Sequence, residues 1–339
     1  MEEKKKYKII SIGRSLVDVT AILSDVDFTN IQDLLSVKPG NWVEIENIDT
    51  LNTIFEIIAN CHFPKNEKEL KLLLKKQNIS LSVGSTNCNV FSEFPPELLN
   101  KSAIITSIGI NNKSETDIFS YYFTESLKQK HINHIVFPYI GNNPISLVFV
   151  SSSNPEKVLA SFLGISGKLD KVSDIEAEYI YIDAYELNKD QISILIDNII
   201  QTGKYKIILG LGNESLLAGK LLEQIKKYLI QGQIHVLTGN SDEFYKLYPF
   251  SNINDIAKSN IFSKVSHMLI TQGSNGMYGF INGKMHYQKA IEINNIISTS
   301  GAGDAAAGAF VAGIILNNSG EQILSKAALA AFNILNKNS

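Results

Sequence analysis

Short apolar runs rich in β-branched residues alternate with stretches of helical pattern along most of the chain. Residues 8–12 form one such run and close on Gly13, as a core strand entering a turn does. Further strands are predicted at 103–108, 179–182, 205–209, 234–237 and 268–271. Helices are predicted at 67–76, 117–129, 191–200, 216–229, 305–316 and 322–335. Strands alternating with helices imply crossover units and hence a mostly parallel sheet covered on both faces, an α/β fold. Two segments break the rhythm. Residues 144–150 and 157–163 flank a turn rich in Ser, Asn and Pro and read as an antiparallel hairpin, and residues 19–48 carry a Lys38-Pro-Gly-Asn41 turn before a β-rich run. They form either a small sheet standing off the main layer or irregular surface hairpins.

The 339 residues suffice for one large α/β domain or two smaller ones, and no repeat at a solenoid period and no Pro- or Gly/Ser-rich linker divides them. Net charge is −3, which gives no global electrostatic case for nucleic-acid binding. With only Cys61 and Cys88, a disulfide framework and a four-cysteine metal site are both excluded, and a reduced, cytoplasmic setting fits. The charged N-terminus is followed by an apolar run too short for a signal peptide. Residues 305–316 would make a helix of about 18 Å, short of the roughly 30 Å hydrocarbon core, so a buried helix in a soluble protein is expected rather than a membrane span. The six histidines show no metal-ligand spacing on one helix face.

The most informative stretch runs from Ser298 to Gly313. Gly301, Ala302 and Gly303 stand where a loop enters a helix of small apolar residues. The first amides of a helix lack intrahelical partners and carry the positive end of its dipole, and small residues let an anion approach them. Asp304, in the first turn, can take a proton from a hydroxyl held against that cradle; a base so placed contributes about 10²–10⁴-fold. The plainer alternative is a helix cap in which Asp304 complements the dipole. That alternative leaves the small residues on nearly every face of the following helix unexplained.

This stretch closely resembles the C-terminal signature of the ribokinase-like (PfkB) kinases. Four further segments resemble that family's motifs in its order: Gly13-Arg-Ser-Leu-Val-Asp18, Gly84-Ser-Thr-Asn-Cys-Asn89, Asn240-Ser-Asp-Glu243 and Thr271-Gln-Gly-Ser-Asn-Gly276. They run from residue 9 to about 316. Lys38-Pro-Gly-Asn41 and the Gly-Ser-Thr start of the second segment look most like the adenosine kinase branch. The resemblance implies a three-layer ribokinase-like domain over 1–339, in which residues 19–48 and 144–163 form a small β-sheet lid. It also implies ATP-dependent transfer of a phosphoryl group to a primary hydroxyl of a nucleoside or sugar. Asp304 would be the base, with Gly301, Ala302 and Gly303 as the anion hole. Asp18, Gly84, Ser85, Asn87 and Asn89 would bind the acceptor, and Asn240, Thr271, Gly273 and Gly276 the nucleotide. Magnesium would lie near Glu243, reached through water. The partners implied are small molecules, and the assembly a monomer or a homodimer; neither nucleic acid nor membrane is expected.

Bland readings stand beside several of these. Asp18 could be a turn Asp bonding local backbone, and Asn240 with Glu243 could be a capping box. Cys88, where the family has Asn, reads as a small buried residue. Val83 replaces the first Gly of the family's Gly-Gly pair, which predicts a less free backbone. Ser298 replaces an Asp near a monovalent-cation site in relatives, so little dependence on potassium is expected. The chain stops at Ser339 without the usual glycine-containing tail. A sugar or sugar-acid kinase, and a catalytically silent binding homologue, are the alternative functions.

Overall fold

The computed structural model describes residues 6–154, 156–172, 176–188, 190–293 and 299–337. Ser298, and with it the expectation about potassium, lies outside the described residues. In chain order the strands are β1 (Lys6–Ile12), β2 (Val17–Leu23), β3 (Trp42–Ile45), β4 (Ile79–Val83), β5 (Ser102–Ile110), β6 (His134–Ile140) and β7 (Ile145–Ser151). They continue with β8 (Lys157–Phe162), β9 (Glu176–Asp183), β10 (Lys206–Gly210), β11 (Ile234–Asn240), β12 (His267–Thr271), β13 (Met277–Ile281) and β14 (Lys284–Gln288).

Nine of these form the main sheet, in the order β14-β13-β12-β11-β10-β9-β1-β5-β6. Every pair from β12 to β6 is parallel, and only the β12-β13-β14 edge is antiparallel. The expected α/β class with helices on both faces is therefore observed. Alternation along β1 shows how both faces are filled: Ile9 enters one apolar core, whereas Ile10 and Ile12 enter the other. One core gathers the helices Ala302–Ile315 and Gly320–Lys337, and the other gathers Asp190–Gln201 and Gly219–Gln231. Among the described residues no helix is long and apolar enough to cross a membrane.

The second sheet has five strands, in the order β3-β8-β7-β2-β4. The antiparallel β7-β8 hairpin lies where the turn chemistry of residues 151–156 places it. Two differences from the sequence reading appear. Residues 19–48 are not wholly β: Ser24 caps the helix Asp25–Leu35, its hydroxyl accepting from the Asp27 amide, before β3 begins. The sheet also takes in β4, outside both expected segments, paired antiparallel to β2 from Val17↔Val83 to Ala21↔Ile79. Val83 is thus a buried ladder residue at the end of β4, paired with Val17.

The small-residue helix Ala302–Ile315 is buried from Ala305 to Ile315 and crosses the short helix Thr86–Ser92 at close range. At the crossing a Cβ on Gly308 would stand 2.3 Å from the Val90 carbonyl oxygen. Gly308→Ala would gain up to about 1 kcal/mol of helix propensity. The overpacking cost of about 1–3 kcal/mol should outweigh it, because the obstacle is backbone. Thermal unfolding of Gly308→Ala is expected at a lower temperature than wild type; a raised Tm would show that the two helices part freely.

Candidate active site

The parallel register brings the carboxyl ends of β1, β9, β10, β11 and β12 to one rim, where open α/β sheets bind ligands. Ile12 lies opposite Ile182, Gly210 opposite Asp183, and Asn240 opposite Thr271. Two cavities open along this rim. The larger, about 490 Å³, lies between the main sheet and the small one and is lined by Gly13, Asp18, Gly84, Ser85, Asn87 and Ser146 among others. The smaller, about 160 Å³, is lined by Asn240, Glu243, Thr271, Gly303 and Asp304 among others. Thr86 and Asp183 line both, so the cavities adjoin.

Asp18 sits on β2 between Ser82 of β4 and Ser146 of β7. Burial pushes its carboxyl up to about 6, against the opposing hydrogen bond from Ser146. Gly84 presses its backbone against that carboxylate: a Cβ there would stand 2.1 Å from Asp18 Oδ1. Any side chain at 84 would therefore move the carboxylate.

Asn87 and Asn89 flank Cys88 on the helix Thr86–Ser92 and turn to different tasks. Asn87 is buried, faces the larger cavity and has an Nδ2 with no hydrogen-bond partner. Asn89 lines neither cavity but donates from Nδ2 to Asp304 Oδ2 at 2.9 Å. Cys88 is the small core residue expected of it. Its sulfur accepts from Ser85 Oγ, and burial pushes the thiol up to about 12, which leaves it an inert thiol at neutral pH.

Gly301 is the N-cap of the helix Ala302–Ile315 and, having no side chain, leaves the first-turn amides unbonded by a cap. Gly303 and Asp304 reach the smaller cavity; Gly301 and Ala302 do not line it. Asp304 is partly exposed there, yet burial pushes its carboxyl up to about 6, against the Asn89 hydrogen bond and with a contribution from Asp18. Asn240 caps the helix Ser241–Leu247 in a reciprocal capping box: its Oδ1 accepts from the Glu243 amide, and Glu243 Oε2 accepts from the Asn240 amide at 2.9 Å. The capping reading is correct, and the same pair also lines the cavity. Burial pushes Glu243 up to about 7, with Asp304 adding to the shift. Thr271 ends β12 in the smaller cavity, whereas Gly273 and Gly276 lie in the β12-β13 turn and line neither.

Among the described residues no three side chains of metal-binding type converge closely enough to hold an ion directly. Glu243 is already committed to its cap, and the orphaned Oδ2 of buried Asp183 is the open acidic acceptor nearby. Such a donor set fits a hydrated magnesium ion held through water, not an all-protein cage.

Three residues of the site have no role in the sequence reading: Arg14, which lies inside the first motif, and Asp183 and Glu186, which lie outside every motif. Asp183 ends β9 opposite Gly210, and the rule that ligands gather at strand carboxyl ends would have found it.

Residues 98–339, more than half of the chain, match the pfkB family of carbohydrate kinases. The chain belongs to that family, whose members are phosphotransferases with an alcohol group as acceptor. It resembles the structures of a probable sugar kinase from Rhizobium etli (TM-score 0.73, 16% identity, 98% of this chain and 94% of that one). It is similar in the same way to adenosine kinase from Sinorhizobium meliloti (TM-score 0.70, 16% identity, 98% and 94%). A curated relative, "Putative 1-phosphofructokinase" of Mycoplasma pneumoniae, is 28% identical over 99 residues, and the match covers 33% of that relative and 28% of this chain.

The raised carboxyls have a consequence for stability. Asp18, Asp304 and Glu243 hold protons at a higher pH in the folded chain than unfolded, so the fold gains stability as pH falls through about 7 to 6 and carries the cost of their charges above that. Asp304→Asn removes one such charge and keeps an oxygen for Asn89. At pH 8 its Tm should equal or exceed that of wild type, with the difference shrinking by pH 5, as differential scanning calorimetry would show.

Proposed function

We propose that the chain transfers the γ-phosphoryl group of ATP to a primary hydroxyl of a nucleoside, adenosine-like in character, or of a sugar. One observation carries this reading: Asp304, at the start of a helix that no side chain caps, stands in a cavity that adjoins a larger chamber through Thr86 and Asp183. Magnesium and ATP, when bound, supply the phosphoryl group and the positive charge that offsets its oxygens.

The larger cavity takes the acceptor. Asp18 accepts hydrogen bonds from vicinal hydroxyls, Gly84 keeps its carboxylate in place, and Asn87 Nδ2 offers a donor. Tyr185, Trp42 and Leu216, which also line this cavity, give the apolar surface that suits a nucleobase. Asn89 holds Asp304 Oδ2, leaving Oδ1 to take the proton of the attacking hydroxyl. The amides of Gly303 and its neighbours stabilise negative charge on the transferring group. Asn240 and Thr271 line the nucleotide side, and Glu243 steadies the hydrated cation through water. A sugar as acceptor is the second reading, favoured by the names of the Rhizobium etli and Mycoplasma pneumoniae proteins.

Asp304→Asn should lower phosphoryl transfer by about 10²-fold or more while leaving nucleotide affinity nearly unchanged. Steady-state turnover over a panel of nucleosides and sugars, with ATP binding by calorimetry, reads both. Full turnover in the variant would remove Asp304 from the mechanism. With its carboxyl at about 6, the wild-type rate should be fully developed at pH 8 and fall as pH drops below about 6.

The small sheet is the lid in this reading, with Trp42 and Ser146 among the cavity walls it supplies. Hydrogen exchange in β2, β3, β7 and β8 should slow when a saturating acceptor is added. Unchanged exchange would mean that the sheet is a fixed wall.

A further inference from the structure

The larger cavity has an electrostatic character that joins the first motif, with Arg14 and Asp18, to residues outside every motif. Its walls hold one cationic side chain, Arg14, and three acidic ones, Asp18, Asp183 and Glu186. Arg14 is already committed: its Nε donates to Glu186 Oε1 at 2.7 Å, both side chains are largely buried, and the guanidinium lies 5.5 Å from the Tyr185 ring centre. Glu186 is 4% exposed, and its second oxygen, Oε2, has no hydrogen-bond partner. Asp183, equally buried, likewise has an unpartnered Oδ2. A buried oxygen without a partner is costly unless something that enters the cavity donates to it. We infer that Glu186, pinned by Arg14, is a specificity-determining residue whose Oε2 receives an N–H or O–H of the acceptor, so that the cavity takes uncharged, donor-rich acceptors and rejects phosphorylated or carboxylated ones.

The inference rests on the acceptor occupying this cavity, as proposed above, and it selects among the substrate classes left open there. An anionic acceptor would meet Asp18 and Glu186 with no uncommitted cation to offset them, a like-charge penalty that works as rejection. The ion pair supplies orientation: Oε1 is held by Arg14, which keeps the Glu186 side chain in the cavity wall.

The test is equilibrium binding by calorimetry, which needs no catalysis. Matched probes would be adenosine against adenosine 5′-monophosphate, and ribose against ribose 5-phosphate. Wild type should bind the uncharged member of at least one pair 10-fold or more tighter than its phosphate. Glu186→Gln releases Arg14, so the ratio of phosphate to uncharged affinity should rise about 10-fold or more. In Arg14→Gln/Glu186→Gln that rise should vanish, because the released cation is gone. The double variant also leaves no charge unpaired in the pair, so it serves if the single variant does not fold. Tighter binding of the phosphate by wild type, or binding of neither member of either pair, would overturn the inference. Binding with the expected preference but without phosphoryl transfer would sink the kinase reading and leave this one standing.

Discussion

Five carboxylates crowd one rim of the parallel sheet, and keeping them there is the constraint on which the site depends. Asp18, the neighbouring Asp183 and Glu186, Glu243 and Asp304 arrive from four separate places in the chain. Burial raises Asp18, Glu243 and Asp304 and lifts Asp183 well above the usual carboxylate range. None of them would collect spontaneously, since the same burial that brings them together penalises their charge. What holds them is the apolar cost of undoing the sheet: Ile12 of β1, Ile182 of β9 and Leu237 of β11, behind the rim, are nearly inaccessible to water. The rim is a place where packing energy is held against electrostatic repulsion, as functional sites often are.

Each carboxylate is also given a distinct local partner, which separates their roles. Asp18 takes Ser146, Asp304 takes Asn89, Glu243 takes its own cap residue, and Glu186 takes Arg14. Asp183 bonds the Tyr185 amide through one oxygen and leaves the other open. The two residues left with an open buried oxygen, Asp183 and Glu186, both face the larger cavity, and Asp183 faces the smaller one as well.

Much of this was legible in the sequence, for local reasons. The strand-turn rhythm at residues 8–13, the hairpin around 151–156 and the small-residue helix after Gly303 are written in neighbouring residues, and the structure carries all three. What escaped was set by distance along the chain. The Arg14–Glu186 pair joins residues 172 apart, and no periodicity announces it. Strand β4 alternates in burial along Ile-Ser-Leu-Ser-Val, a pattern present in the sequence but short enough to pass for a loop. The helix Asp25–Leu35 buries only Phe28 and Ile31 fully, too narrow a stripe to stand out between two β segments. At Val83 the conformation is settled by the ladder with Val17, which no neighbouring residue announces.

The close crossing at Gly308 has a mechanical corollary. The helix bearing Asn87 and Asn89 and the helix bearing Asp304 touch backbone to side-chain-free backbone, with no compressible layer between them. Amide and carboxylate are further latched by their hydrogen bond. The two helices are therefore tied at two points, and the distance from Asn89 to Asp304 is set by their packing. A side chain at position 308 would therefore be felt at the carboxylate of Asp304 as well as at the crossing.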